Sequence, residues 1–443
     1  MDWNFLIRNK SALFVTTDSR KVTPGCVFVA LKGEHFDGND FVEQAFRQGA
    51  EWVLMEDKEK YNLLPAEYKE RISLPFREGA GVGLLQDLAR AWRRSLSIPI
   101  IGITGTNGKT TTKELCAAVL GTKYNLFYTQ GNLNNQIGVP LSLLSITRAH
   151  EMAIIEMGAS HPGDIKELVE IAEPDYGLIT NVGKAHLQGF GSFEGVMRTK
   201  AELYDFLLAH NGTIFRNADN PYLEKMYLSA CKASGLSVER SVSETVNYQL
   251  STVNYHTGSM PEGTHLVGGY NAENISAAIA VGGYFGVSEE DALAAIRAYV
   301  PTNNRSQLMQ TERNTLVVDA YNANPTSMTA AINAFDKSPI TNHLSPITNH
   351  QSPMPKAYIL GAMRELGEYS HLEHQNIVNM LLERKADIVL LVGEEYKATT
   401  APYPIFENVE ALAEYLKTTP LTGYHILLKG SRANQLEKVI PLL

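Results

Sequence analysis

Ile101-Gly102-Ile103-Thr104-Gly105-Thr106-Asn107-Gly108-Lys109-Thr110-Thr111-Thr112 decides how this chain folds. An apolar run enters a glycine loop ending in Gly-Lys-Thr, and residues 113–120 then read as a helix. Phosphate binding needs that order. Glycines let backbone N–H groups converge on phosphate oxygens, and a helix N-terminus adds partial positive charge. Lys109 supplies a point charge to the β- and γ-phosphates, and the Thr110 hydroxyl can reach Mg2+. The usual spacing, G-x-x-x-x-G-K-[ST], would put glycine at 103, where this chain has Ile103, so the loop is the variant G-T-N-G-K-T. We read it as an ATP-type phosphate loop.

Outward from the loop, residues 81–305 alternate apolar strands with amphipathic helices. Runs at 98–104, 153–157 and 177–182 are short and β-branched, each followed by a Gly-rich turn, and 272–286 carries alanine and isoleucine at helical spacing. Buried parallel strands read this way, and helices between them favour a doubly wound, mostly parallel central sheet. Residues 1–80 hold strand-like runs at 27–31 and 52–55 with a short helix at 41–49 closed by glycine, a small α/β domain. Residues 306–443 restart the alternation, with strands at 315–319, 357–360, 388–392 and 425–428 and helices near 326–336, 370–385 and 408–417. The expectation is an α/β chain of three domains, the last Rossmann-like. Residues 338–353, SPITNHLSPITNHQSP, repeat a seven-residue unit from Ser338, Ser345 and Ser352. Proline in each unit and few apolar residues exclude a coiled-coil seam. A disordered surface insertion is the better reading than a metal site at His343 and His350.

Composition narrows the function. The 443 residues are 44% hydrophobic and 20% charged, enough apolar material for several cores. Thirty-nine basic against 48 acidic residues give a net charge of −9, which argues against a protein that holds nucleic acid by charge. Cys26, Cys116 and Cys231 are odd in number and widely spaced, suggesting neither a disulfide framework nor a zinc cluster. No apolar run approaches the roughly 20 residues that span a bilayer, and MDWNFLIRNK lacks a signal-peptide core. The expectation is a cytoplasmic enzyme with no membrane insertion.

Two further strand ends carry chemistry. Ile154-Ile155-Glu156-Met157-Gly158-Ala159 places an acid at the carboxyl end of an apolar strand, where open α/β sheets bind ligands. Such a glutamate is usually a solvated cap, but after a phosphate loop Glu156 suits the hard oxygen shell of Mg2+ that Thr110 begins. Thr180-Asn181-Val182-Gly183-Lys184-Ala185-His186 ends another strand, with His186 placed as a second-metal ligand would be. Lys200 follows on a helical stretch and by itself reads as a solvated lysine.

In order and spacing, GTNGKT, EMGA, NVGKAHLQGFGS and the lysine at 200 resemble the Mur ligases, a family to which folylpolyglutamate synthase is related. The resemblance spans nearly the whole chain apart from the tandem insertion. Gly131-Asn132-Leu133-Asn134-Asn135-Gln136-Ile137-Gly138-Val139-Pro140, Asp319-Ala320-Tyr321-Asn322-Ala323-Asn324-Pro325 and Leu360-Gly361-Ala362-Met363-Arg364-Glu365-Leu366-Gly367 are similar to signatures of one branch. That branch adds D-Ala-D-Ala to UDP-N-acetylmuramoyl-tripeptide. Asp18-Ser19-Arg20 and Asp37-Gly38 resemble the family's UDP-substrate domain, and Lys429-Gly430-Ser431-Arg432 its carboxyl-terminal KGSR. Four departures stand out: Ala362 for the usual aspartate, Ser160 for asparagine, Asn39 for histidine, and Ala433-Asn434-Gln435-Leu436 without the usual methionines.

The resemblance implies a site. ATP would contact Gly105, Thr106, Asn107, Gly108, Lys109, Thr110, Thr111, Asn271, Asn274, Arg305, Asp319, Asn322 and Asn324. The UDP-linked tripeptide and the dipeptide would contact Ser19, Arg20, Asn132, Asn134, Asn135, Ser160, Arg364 and Lys429. Thr110, Glu156, His186 and Lys200 (as a carbamate) would hold Mg2+, in two ions, and Lys109, Lys200, His186 and Glu156 would be the catalytic set. The implied reaction makes an acyl phosphate from the tripeptide carboxylate, which the amine of D-Ala-D-Ala then attacks. Domain closure about a hinge near residues 300–306, a monomeric chain and strict metal dependence go with it. Another ligase of the family, a P-loop switch or motor, and a degenerate scaffold are the alternatives. The branch signatures disfavour the first, the extra domains the second, and the complete catalytic set the third.

Overall fold

The computed structural model describes residues 3–33, 35–74, 81–235, 251–302, 304–337, 354–384 and 386–443. The tandem repeat at 338–353 lies outside the described residues, as does Asn303 in the expected hinge. Three sheets follow one another along the chain. The first has four parallel strands in sequence order, β1 (Val15–Thr16), β2 (Val27–Ala30), β3 (Trp52–Met55) and β4 (Ile72–Ser73).

The central sheet contains β5 (Ile100–Thr104), β6 (Leu126–Tyr128), β7 (Met152–Glu156), β8 (Tyr176–Ile179), β9 (Thr213–Asn217) and β10 (Thr252–Tyr255). Its order is β10-β9-β8-β5-β7-β6, all parallel. The chain leaves β5 for the far edge, returns to β7 on one side of β5, then crosses to β8 on the other. The strand order therefore reverses around β5, and ligands of open α/β sheets bind at such a switch point, at the carboxyl ends of the strands. β5 and β7 are buried along their whole length, as a sheet covered by helices on both faces requires.

The third sheet contains β11 (Gln307–Gln310), β12 (Thr315–Asp319), β13 (Lys356–Gly361), β14 (Ile388–Val392), β15 (Ile405–Phe406) and β16 (His425–Lys429), in the order β11-β12-β16-β13-β14-β15. It is mixed, because β11 runs antiparallel to β12 at the edge. Register sets Asp319 opposite Lys429 at the carboxyl ends of β12 and β16.

The helix Gly81–Ser95 ties the first sheet to the second. Its Leu85, Leu88 and Trp92 share one apolar core with Val27, Val29 and Leu54 on one side and Ile100, Leu143 and Ile155 on the other. Each such buried side chain contributes about 1.5–3 kcal/mol. Trp92 donates its indole N–H to the Ile146 carbonyl at 2.9 Å, and Arg93 reaches the Asp175 carboxylate at 2.8 Å. The three cysteines are free and buried. Among the described residues no helix is long and apolar enough to cross a membrane.

Candidate active site

The phosphate loop joins β5 to a helix that begins at Lys109, four residues before the sequence expectation of 113. The threonines at 110–112 form helices poorly on their own. Here Gly108 caps them in the left-handed conformation at φ 77°, and tertiary contacts hold the turn. Gly105, at φ 141°, is pressed against the neighbouring strand end: a Cβ there would lie 2.0 Å from Thr180 Oγ1. Asn181 closes the loop from the same side, its backbone carbonyl accepting from Thr106 N at 2.9 Å and its Oδ1 from Asn107 N at 3.0 Å.

Lys109 donates to the loop carbonyls of Gly105 (2.8 Å) and Thr106 (3.1 Å). Burial lowers its ammonium to about 8, with Glu156 opposing and Arg305 adding to the shift. Thr110 Oγ1 donates to Glu156 Oε2 at 3.0 Å, and Asn134 Nδ2 to Glu156 Oε1 at 2.8 Å. Thr110 and Glu156, expected to share an ion, are thus in contact. Lys113 stands beside the same carboxylate, 3.6 Å from Oε2.

His186 sits past β8 in the left-handed region, at φ 48°. Burial pushes its imidazole below the ordinary value, Glu365 opposes, and Lys109 and Lys200 add to the depression. Lys200 is not a solvated helix lysine. It is 2% exposed, its Nζ has no hydrogen-bond partner, and burial followed by the nearby Lys109 charge pushes its amine well below the usual range. Phe190 borders both groups, with its ring 6.3 Å from the His186 ring and 5.8 Å from the Lys200 amine.

The third sheet faces this loop across a cavity of about 970 Å3. Asn324 Nδ2 donates to Asn107 Oδ1 at 2.7 Å, Thr326 Oγ1 accepts from Lys184 N at 3.0 Å, and Lys184 Nζ pairs with Glu373 at 2.8 Å. His186 Nδ1 pairs with Glu365. Lys429, 1% exposed, bonds Asp319 Oδ2 at 2.7 Å and the Asn322 carbonyl at 3.2 Å, holding the turn after β12. The Arg305 guanidinium lies 3.9 Å over the Tyr321 ring, and the Arg432 guanidinium is 5.6 Å from it.

Thr106 to Thr111, Asn132, Asn134, Asn135, Glu156, Ser160, His186, Asn271, Asn274, Arg305, Asp319, Asn322, Asn324, Arg364 and Lys429 all line the cavity. Asn274 also accepts from Thr112 Oγ1 at 3.0 Å and donates to Asn271 at 2.9 Å, so this pair braces the loop helix as well. Asn135 spends its Oδ1 on the N–H groups of Ile137 and Gly138. Ser19 and Arg20 do not line the cavity. Arg20 is engaged with Asp18 on the first sheet's surface, at 2.8 Å. Lys200 lies beneath the lining rather than in it. Sequence reasoning assigned no role to Lys113, Tyr321, Thr326 or Glu365. Lys113 carried a signal, its spacing of four from Lys109 on one helix face.

Thr110 and Glu156 offer hard oxygens suited to Mg2+. Among the described residues no group of three or more His, Cys, Asp or Glu side chains gathers to hold a metal, so Thr110 and Glu156 leave most of a Mg2+ shell open to other oxygens, such as those of phosphate and water.

A phosphate loop at the switch point of one sheet, closed over by the strand ends of a second α/β unit, defines an ATP-dependent enzyme that works between two lobes. The chain belongs to the Mur ligase family. It matches the family's "Mur ligase family, catalytic domain" over residues 12–90, its "Mur ligase middle domain" over 103–282 and its "Mur ligase, glutamate ligase domain" over 304–432. It is 34% identical to the UDP-N-acetylmuramoyl-tripeptide–D-alanyl-D-alanine ligase of Bacillus subtilis, covering 96% of this chain and 92% of that protein. The enzyme of that name from Escherichia coli is also 34% identical, with 97% and 93% covered. Among solved structures, the MurF ligase of Thermotoga maritima in complex with ADP superposes with a TM-score of 0.79 at 28% identity, covering 98% of both chains.

Proposed function

We propose that the chain is an ATP-dependent ligase that joins D-Ala-D-Ala to the terminal carboxylate of UDP-N-acetylmuramoyl-tripeptide, in peptidoglycan precursor synthesis, through an acyl phosphate. The observation that carries this reading is the single cavity in which the phosphate loop and Glu156 face Arg364, Asp319 and Lys429 from the third sheet.

The chemistry requires two anions to meet. A carboxylate is a weak electrophile and repels the γ-phosphate, so positive charge must lie between them. Lys109, now bonded to its own loop carbonyls, is placed to turn onto phosphate oxygens. Thr110 and Glu156 would hold one Mg2+ and His186 would help hold another, and such ions would neutralise phosphate oxygens during transfer. Arg305, lining the cavity and stacked on Tyr321, is placed for the nucleotide. Closure by Asn324, Thr326 and Glu365 would keep water from an acyl phosphate. Asn304 and Ser306, at φ 55° and 50°, suit a hinge.

Lys200 is the residue we assign to carbamylation. Its unpartnered amine, which burial holds well below the usual range, would add in its neutral form to CO2, losing one proton and gaining an anionic carbamate that can face a cation. We place the enzyme in the cytoplasm with its nucleotide substrates. One chain supplies both walls of the cavity, so we read it as a monomer.

Phosphate release should require ATP, Mg2+, UDP-N-acetylmuramoyl-tripeptide and D-Ala-D-Ala together. Release independent of the dipeptide would sink the ligase reading, and equal release with a single amino acid in its place would move the chain to another branch.

A further inference from the structure

Lys113 has 1% of its side chain exposed, and its partner Glu156 has 2%. Its Nζ stands 3.6 Å from Glu156 Oε2, the same oxygen that accepts from Thr110 at 3.0 Å. It also lies 5.8 Å over the Tyr128 ring and 4.0 Å from Glu114 Oε1. Asn134, a neutral donor, occupies the other Glu156 oxygen. A buried ion pair adds little stability over apolar side chains of similar volume, so stability alone does not account for this one.

We propose that Lys113 is a positioning residue that guards Glu156, fixing its carboxylate toward Thr110 and keeping a divalent cation from settling there until phosphates arrive. The inference rests on the reading of Thr110 and Glu156 as metal ligands. A bare carboxylate beside a hydroxyl would attract a cation at all times. The ammonium already neutralises it, so an incoming divalent ion meets no net attraction and must displace the lysine to bind. Nucleotide phosphates reverse that balance, because their charge exceeds that of one lysine. The consequence is ordered loading: the protein alone holds the metal weakly, and metal with nucleotide binds well.

Mn2+ binding to the full chain, followed by electron paramagnetic resonance with and without ADP, tests this. Lys113→Met and Lys113→Gln should tighten Mn2+ binding without nucleotide by about tenfold or more, the scale on which one nearby charge shifts a carboxylate's equilibria. Lys113→Arg should behave as the parent. Unchanged or weaker Mn2+ binding by both neutral variants would overturn the proposal. Where a neutral variant melts early, Mn2+ should raise its melting temperature more than the parent's, because the metal replaces the lost cation, and an equal response would overturn it. Glu156→Gln separates the two ideas. If it leaves Mn2+ binding in the presence of ADP unchanged, the ligand reading itself fails. If it weakens that binding while Lys113→Met has no effect, only the guarding role fails.

Discussion

Asn324, just past the third sheet's β12, donates its side-chain amide to Asn107 Oδ1 in the phosphate loop at 2.7 Å. Asn107 is thereby held from two lobes, since Asn181 of the central sheet accepts from its backbone N–H at 3.0 Å. The loop reads closure directly, and anything that moves the third sheet away removes a bond from the phosphate loop.

Asn324→Ala should therefore weaken ATP without disordering the loop. A neutral hydrogen bond is worth about 1 kcal/mol net, so KM for ATP should rise roughly fivefold. Asn324 also caps the following helix, with its Oδ1 accepting from Ser327 N at 2.8 Å. Asn324→Asp keeps the cap and loses the donor to Asn107, which isolates the closure term. A KM for ATP unchanged in both variants would show that this contact plays no part in nucleotide binding.

Lys200→Ala should lower turnover by about a hundredfold or more, the size of loss seen when one charge-stabilising group is removed. Short carboxylates such as formate or acetate should restore part of it by entering the space of the lost side chain. Parent enzyme freed of dissolved CO2 should gain activity on adding bicarbonate. Steady-state phosphate release measures all three, and a variant indifferent to carboxylates would count against a carbamate.

Gly108→Ala tests the loop from the covalent side. Its φ of 77° disfavours an L side chain, and a Cβ would approach Asn274 Oδ1 to 2.5 Å. Strain of about 1–2 kcal/mol is expected at the backbone. The contact would also disturb the Thr112–Asn274 bond that braces the helix. ADP affinity by calorimetry should fall at least about tenfold, while the far-UV spectrum stays that of the parent.

The loop, the strand ends and the alternation of elements were legible because each is local: glycine spacing, β-branched runs and turn residues act within a few positions. Strand β3 and strands β12 and β14 begin and end where the pattern places them. What stayed hidden depends on residues distant in sequence. Lys200 looks like any helix lysine until Phe190 and neighbouring elements bury it. Lys113 gains meaning from a carboxylate 43 positions on, and Glu365 from a histidine 179 positions earlier. The helix start at Lys109 was missed because threonine propensity points one way and the Gly108 cap the other. Ser19 and Arg20 sit in a motif that composition cannot place relative to the cavity.

His425 supplies a test independent of the active site. It is 3% exposed in the third sheet, neither ring nitrogen has a partner, and the Phe335 ring lies 4.4 Å away. Burial, with Lys356 beside it as a lesser cause, lowers its imidazole from 6.5 to about 4. Between those values the unfolded chain binds the proton and the folded chain does not, so stability falls as pH drops from 6.5 toward 4. The shift corresponds to about 3 kcal/mol lost across that window. His425→Leu removes both the titration and the two unpartnered nitrogens. Urea unfolding should find the variant no less stable than the parent at pH 7.5, with the difference widening in its favour as the pH falls to 5. A gap that stays constant with pH would mean that His425 finds a proton-accepting partner or solvent in the folded protein.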